Sequence, residues 1–167
     1  MDQDAKKTAL RMIPYGLYVL TGETADGRIS AATVNWVTQT SFEPPLIAVG
    51  VKADSGAHEI VKEAGAFALN VLAKGQQSMA YAFFKPTERE GDTINGEAYK
   101  SGSTGAPILE SVPAYVECSL VETLEKGDHS IFVGEVVDAG IVQAPEGRPD
   151  EVTLTLGDLG EKIFYGG

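Results

Sequence analysis

The stretch Ser30-Ala-Ala-Thr-Val-Asn-Trp-Val-Thr-Gln-Thr-Ser41 is the most informative part of the sequence. It lies within a predicted β-strand that runs over residues 29–40 and carries an unusual density of small and polar side chains. Small residues let a planar ligand approach closely, and hydroxyls and amides can bind its polar rim. A solvent-facing strand rich in Thr and Ser accounts for the same pattern, so this stretch alone does not decide between the two interpretations.

A second candidate site is Lys52-Ala-Asp-Ser-Gly-Ala-His58, where a predicted strand leads into the start of a predicted helix. Free amides at a helix N-terminus, together with Lys52, Ser55 and His58, can converge on a phosphate group. The simpler interpretation is that Asp54 or Ser55 only caps the helix.

A third candidate is His129 in the segment Gly127-Asp-His-Ser-Ile-Phe-Val-Gly-Glu135. This histidine comes where a turn leads back into a strand, so it can point into a ligand cavity as a hydrogen-bond donor or proton source. A half-exposed histidine beside a turn is the alternative.

The rest of the pattern predicts a single mostly-β domain over residues 1–167. Strands are expected over residues 15–21, 46–51, 66–72, 114–124 and 130–141, with short closing strands over 152–156 and 162–165. Helices are expected over residues 3–12, 54–63 and 76–84, and residues 85–107 are expected to form a polar loop. About seven strands with two or three helices favour a closed or sandwich-like β architecture.

The composition and the motifs that are missing argue against several classes of function. The net charge of −11 argues against nucleic acid and anionic membranes as partners. One cysteine, Cys118, and the absence of a leader-like or membrane-spanning apolar run favour a cytoplasmic protein. Rossmann, P-loop and nucleophile-elbow motifs are missing, and the two histidines lack metal-site companions, so no metal site is expected. Redox chemistry carried by a cofactor remains possible.

Taken together and in this order, the segments resemble the flavin reductase-like FMN-binding split-barrel family. The strongest piece is Thr33-Val-Asn-Trp-Val-Thr-Gln-Thr-Ser-Phe-Glu-Pro-Pro-Leu46, followed by Ser55-Gly-Ala-His58 and Gly127-Asp-His-Ser-Ile-Phe-Val-Gly-Glu-Val136. Among relatives, the chain is most similar to flavoredoxin-like proteins and to the flavin domain of high-molecular-weight rubredoxin. The resemblance implies a six-stranded antiparallel split β-barrel with a few flanking helices, usually a homodimer with flavin near the interface.

The resemblance also implies roles for individual residues. Thr33, Val34, Asn35 and Trp36 would line the flavin ring, although Trp36 stands where many relatives have a small residue. The ring would continue toward its ribityl chain along Gln39, Thr40 and Ser41. Lys52, Ser55 and His58 would hold the phosphate, His129 would be the catalytic residue on the reactive side, and Tyr165 could cap the pocket.

The expected function is that of an FMN-binding NAD(P)H:flavin oxidoreductase that passes electrons to free flavin or to a redox partner protein. FMN is favoured over FAD, and no motif distinguishes NADH from NADPH. The first alternative is a flavoredoxin-like FMN electron-transfer protein that does not use NAD(P)H directly. The second is a split barrel that binds another ligand, such as haem or pyridoxal phosphate.

Overall fold

The computed structural model describes residues 1–167 and contains eleven strands and four α-helices. The helices are α1 (Gln3–Arg11), α2 (Gly56–Ala64), α3 (Gln77–Ala82) and α4 (Pro149–Val152), and a 3-10 turn spans Leu156–Leu159. The strands are β1 (Tyr18–Glu23), β2 (Ile29–Val34), β3 (Val37–Ser41), β4 (Leu46–Lys52), β5 (Ala66–Val71), β6 (Arg89–Glu90), β7 (Thr93–Ile94), β8 (Glu97–Ser101), β9 (Pro107–Leu109), β10 (Ala114–Glu125) and β11 (His129–Ile141). None of the helices has both the length and the apolar character that a bilayer crossing requires.

The main sheet has seven antiparallel strands in the order β2-β1-β5-β10-β11-β4-β3. The predicted class, mostly β with a few flanking helices, is confirmed. The expected count of six strands in a barrel is corrected to seven strands in a sheet that does not close, with β2 and β3 at its edges.

The extra strand arises because the single strand predicted over residues 29–40 breaks after Val34. Its first half, β2, pairs with β1, and its second half, β3, pairs with β4. Asn35 and Trp36 form the bend between them, and the Val37 amide donates to the Asn35 carbonyl at 3.1 Å. One continuous run of sequence therefore supplies strands at opposite ends of the sheet.

The core consists of three apolar clusters, and the two larger ones take up adjacent residues of the same strand. In β1, Val19 belongs to one cluster and the adjacent Leu20 to the other, as expected when successive strand residues point to opposite faces. The cluster that contains Leu20 also includes Ala57 and Val61 of α2. The cluster that contains Val19 packs against α3 and the C-terminal region, and it includes Phe83. Burying one such large side chain contributes about 1.5–3 kcal/mol.

Helix α2 lies within two residues of the bounds predicted from the sequence, and of the two capping candidates Ser55 is the one used. Ser55 is its N-cap, with a hydroxyl that accepts a hydrogen bond from the His58 amide at 3.2 Å. Gly65 ends the helix in the left-handed conformation at φ +67°, which glycine adopts without steric cost. This geometry fixes the direction in which the first amides of α2 point.

Two predicted regions are wrong. Residues 85–107 form a small four-stranded sheet, β6-β7-β8-β9, rather than a loop, and it is anchored by the Thr21 hydroxyl donating to the Pro107 carbonyl at 2.6 Å. The closing strands over 152–156 and 162–165 are absent. In the first, Thr153 and Thr155 make only isolated bridges to Ala73 and Gly16, and residues 162–165 have no regular structure.

Candidate functional site

A cavity of about 290 Å³ lies where the two larger core clusters meet, between β2, the end of β4, the start of α2 and the C-terminal segment 163–165. Most of the residues around it are apolar, and its polar side chains are gathered at three places: the end of β2, the start of α2 and the rim at His129. Its lining consists of Leu17, Ala32, Thr33, Val34, Asn35, Gly50, Val51, Lys52, Ser55, Ala57, Phe83, Phe84, His129, Leu156, Ile163, Phe164 and Tyr165. A mainly apolar cleft with few polar groups is typical of a small-molecule or cofactor site.

A wider depression of about 620 Å³ lies beside the small sheet, around Arg89 and Tyr99. It is open and mainly polar, and Arg89 there is already paired with Glu23 at 3.2 Å. The smaller cavity is therefore the better candidate for a planar cofactor.

One wall of the cavity is the end of β2. The Thr33 hydroxyl donates to the Ala80 carbonyl at 2.8 Å, and the Thr33 amide donates to the Phe83 carbonyl at 3.1 Å, which ties α3 to this wall. Asn35 is 6% exposed, and its amide donates to the Tyr165 carbonyl at 3.2 Å. The bend after β2 thus holds the C-terminal segment over the cavity.

The opposite end of the cavity is suited to an anion. Lys52 ends β4, and its ammonium group lies 3.1 Å from the Asp54 carboxylate. The Ser55 hydroxyl donates to the Lys52 carbonyl at 2.7 Å. The first amides of α2, at Gly56 and Ala57, have no acceptor within the helix, and the positive end of the helix dipole adds to their attraction for an anion.

His129 lies at the rim of the cavity, with both ring nitrogens in hydrogen bonds. Nδ1 lies 2.9 Å from the Asp128 Oδ1 atom, and Nε2 lies 2.6 Å from the Tyr165 hydroxyl oxygen. The hydrogen bond from His129 lowers the pKa of the Asp128 carboxyl group, whereas burial raises the pKa of the Tyr165 hydroxyl. The Trp36 ring packs behind this group, with centroids 4.6 Å from His129 and 5.3 Å from Tyr165.

The structure brings together six of the eleven site residues predicted from sequence. The ones that line the cavity are Thr33, Val34, Asn35, Lys52, Ser55 and His129.

The other five predicted residues do not line it. Trp36 faces a separate apolar groove beyond the bend, against the Gly50 backbone. Gln39, Thr40 and Ser41 lie on the edge strand β3, where the Gln39 amide donates to the Ser41 carbonyl at 3.1 Å. The His58 ring turns into the core instead, with Nε2 2.8 Å from the Ser130 hydroxyl and its ring 4.9 Å from Phe132.

Several cavity residues were not predicted from the sequence. Phe83 and Phe84 follow α3, and Leu156, Ile163 and Phe164 come from the C-terminal region. These residues are apolar and lie far from β2 in the chain, so no local pattern marks them as ligand contacts.

The model of the flavin reductase like domain family matches residues 10–158 of the sequence. The chain belongs to the flavin reductase like domain family. Its cavity, framed by β2, β4 and α2, lies entirely within elements of that matched region apart from the C-terminal segment.

Two curated relatives are similar over most of the chain. High molecular weight rubredoxin from Moorella thermoacetica is 36% identical over 136 residues, which is 80% of this chain and 59% of that protein. Ferric-chelate reductase (NAD(P)H) from Archaeoglobus fulgidus is 35% identical over 142 residues, which is 83% of this chain and 82% of that protein. The chain thus spans less than two thirds of the rubredoxin.

Two solved structures share the fold. The NADH:FAD oxidoreductase of Streptomyces globisporus C-1027 has a TM-score of 0.68 at 31% identity, covering 77% of this chain and 71% of its own. The FMN-binding protein from Thermus thermophilus with bound 1-cyclohex-2-enone has a TM-score of 0.68 at 26% identity, covering 78% of this chain and 72% of its own. The relatives thus include proteins named for FMN and for FAD.

The residues present fit a flavin. The apolar walls match the faces of a tricyclic ring, the Thr33 and Asn35 side chains lie where its polar edge would meet β2, and the start of α2 provides the donors that a phosphate requires. No three side chains of the His, Cys, Asp and Glu types lie close enough together to hold a metal ion.

Proposed function

We propose that this chain holds FMN and transfers electrons from NAD(P)H to flavin, and from there to free flavin or a redox partner. The observation that carries the proposal is that one cavity joins an apolar slot to an anion-binding helix start. The names of the relatives support it, since they include an NAD(P)H-dependent ferric-chelate reductase and an NADH:FAD oxidoreductase. FMN is favoured over FAD because the cavity offers a single anion site.

In this proposal the chain supplies binding, orientation and exclusion of water. Thr33, Val34 and Asn35 lie along the ring, while Lys52, Ser55 and the first amides of α2 bind the phosphate. His129 lies at the reactive side. Bound FMN would supply the two-electron chemistry that no side chain of the cavity can perform.

We also propose that the protein is a homodimer. Among the large apolar side chains left exposed, three belong to β11: Ile131, Val137 and Ile141 are 42%, 54% and 66% exposed, and Phe42, just after the end of β3, is 90% exposed. With a net charge of −11, two copies would repel one another unless such an apolar surface held them together. Light scattering of Ile131→Glu should then give the monomer mass, whereas the unmodified chain gives twice that mass.

The decisive experiment is the absorption spectrum of the purified protein, followed by anaerobic titration with NADH and with NADPH. A yellow flavin spectrum that bleaches on addition of either nicotinamide supports the proposal. A haem or pyridoxal phosphate spectrum, or no binding of added FMN, contradicts it.

One observation favours a second candidate, an FMN electron-transfer protein that does not use nicotinamide. Phe164 and Tyr165 cover the cavity, and its volume of about 290 Å³ leaves little room for a second planar ligand beside a flavin. If this candidate is correct, the bound flavin is reduced by a reduced partner protein or by dithionite but not by NADH or NADPH.

A further inference from the structure

The strongest unexplained feature is a chain of three side chains at the mouth of the cavity: Asp128, His129 and Tyr165. The Asp128 carboxylate meets Nδ1 of His129 at 2.9 Å, and Nε2 of the same ring meets the Tyr165 hydroxyl at 2.6 Å. The His129 side chain is only 15% exposed, whereas that of Asp128 is 93% exposed. Tyr165 lines the cavity at its mouth and is 46% exposed, so the three side chains link the exposed Asp128 to the cavity mouth through the half-buried His129 ring.

The Tyr165 end is held from two sides. The buried Asn35 amide donates to the Tyr165 carbonyl at 3.2 Å. Arg11 of α1 donates from Nε to the Gly166 carbonyl at 3.4 Å, and its guanidinium lies 4.2 Å from the centre of the Phe164 ring. Tyr165 therefore has a defined position, although it belongs to a segment without regular structure.

The hydrogen bonds also have a direction. An ionised carboxylate can only accept, so Asp128 accepts the Nδ1 proton of the ring, and this hydrogen bond lowers the pKa of Asp128. Nε2 of the neutral ring is then an acceptor, and the Tyr165 hydroxyl, whose pKa is raised by burial, donates to it. With both ring nitrogens engaged, His129 has no donor left for a ligand in the cavity.

We infer that Tyr165, rather than His129, presents the proton to a ligand in this cavity, and that His129 is a positioning and proton-supplying residue behind it. This inference rests on the proposed function. When His129 is protonated, its Nε2–H group donates to the Tyr165 oxygen and frees the phenol hydrogen to face the ligand.

In the overall reaction, NADH, flavin and one proton give reduced flavin and NAD⁺, and the three side chains supply that proton. The O–H bond of Tyr165 breaks as its proton passes to the ligand, and the Nε2–H bond of His129 breaks as that proton passes to the Tyr165 oxygen. The His129 ring is left neutral, with its Nδ1–H group still donating to the Asp128 carboxylate. A proton from solvent then restores the Nε2–H group. The electrons come from NADH.

The charged groups that face this chain are few. Lys52 and Asp54, at the end of β4, act on Tyr165 with opposite signs, and Asp128 is the charged neighbour of the ring.

The first test needs no bound flavin. The chain has two histidines, so imidazole ¹⁵N spectra resolve His129, with His58 as an internal control. Tyr165→Phe should shift the Nε2 resonance of His129 and leave that of His58 in place. Tyr81→Phe is the matched control, since Tyr81 donates to the Leu159 carbonyl at 2.9 Å in the same C-terminal region and should change neither ring. An unchanged His129 resonance in Tyr165→Phe would overturn the inference.

The second test uses the FMN-loaded protein and the anaerobic rate of its reduction by NADH. Tyr165→Phe and His129→Ala should each slow the reduction by about 100-fold, the lower end of what general acid catalysis contributes, with FMN affinity changed less than threefold. The double variant should be no slower than either single variant, because the two residues act as one unit.

These experiments distinguish failure of this inference from failure of the proposed function. If His129→Ala is slow but Tyr165→Phe is as fast as the unmodified chain, His129 meets the ligand directly and the inference is wrong. If NADH reduces the FMN bound to both variants at the unmodified rate, the three hydrogen-bonded side chains have only a structural role, and the inference also fails. If FMN does not bind at all, the proposed function fails, while the ¹⁵N spectra still decide whether the hydrogen-bonded chain exists.

Discussion

Replacement of Ser55 by Asp tests the phosphate end of the cavity with little effect on the fold. Ser55 is the N-cap of α2, and its side chain accepts from the His58 amide. Because Asp is as good an N-cap as Ser, Ser55→Asp keeps that hydrogen bond but loses the one that the Ser55 hydroxyl donates to the Lys52 carbonyl, so the free energy of unfolding should fall by about 0.5–1.5 kcal/mol.

The added charge should weaken FMN binding strongly. Two unit charges about 5 Å apart repel by about 3 kcal/mol at an effective dielectric constant of 20. Ser55 is partly exposed, and the neighbouring Lys52 side chain is 58% exposed, so solvent screening reduces this value. A net loss of about 2–3 kcal/mol raises the Kd for FMN by about 30- to 150-fold.

The assay is a pair of fluorescence titrations, one with FMN and one with riboflavin, which has the same ring and ribityl chain without the phosphate. Riboflavin affinity should change less than about twofold, since no phosphate is present to be repelled. Ser78→Asp is the matched control, because Ser78 is exposed in the first turn of α3 and does not line the cavity. Equal weakening of FMN and riboflavin, or unchanged FMN affinity, would show that the phosphate does not lie at the start of α2.

Three further predictions follow from the same geometry. Asp54→Asn removes the carboxylate 3.1 Å from the Lys52 ammonium group, so FMN should bind about two- to fivefold more tightly at low salt, and riboflavin titrated in parallel should show no gain. Gly50→Ala would place a Cβ 2.9 Å from the Trp36 Cε3 atom, so urea unfolding should show a loss of about 1–3 kcal/mol and the emission of the sole tryptophan should shift; a native emission spectrum would refute the contact. Burial raises the pKa of the Cys118 thiol to about 12, so a disulfide reagent at pH 8 should label the protein only as fast as it unfolds, and rapid labelling of the folded chain would contradict this.

The regular elements were predictable where a local signal was strong. The helix start at Ser55 and its end at Gly65 were both marked by residues with one dominant conformational role. The long hairpin β10–β11 was equally clear. The strands of the small sheet β6–β9 are two to five residues long, which is too short for a periodic pattern to emerge from a polar background.

The candidate site was predicted only in part, because sequence shows which residues lie close along the chain but not which way a helix or bend turns them. His58 follows Ser55 by three residues, yet at that position on α2 its ring faces Ser130 and Phe132, and only its backbone amide lies beside Ser55. The apolar wall from Phe83, Phe84 and Phe164 depends on packing between distant segments. No single-sequence signal records such packing.

The largest error of the sequence prediction is the continuous strand over residues 29–40, and the break in that strand lies at the candidate site itself. A strand continuous over residues 29–40 would have carried Asn35 and Trp36 in the sheet, where the regular alternation fixes the direction of both side chains. The bend releases both: Asn35 binds the backbone of Tyr165, while Trp36 packs on Gly50 and supports the His129 and Tyr165 rings from behind. Regular strand pairing is interrupted at this point of the sheet, and the bend gives the candidate site an aromatic rim; such departures from local rules are expected at functional sites.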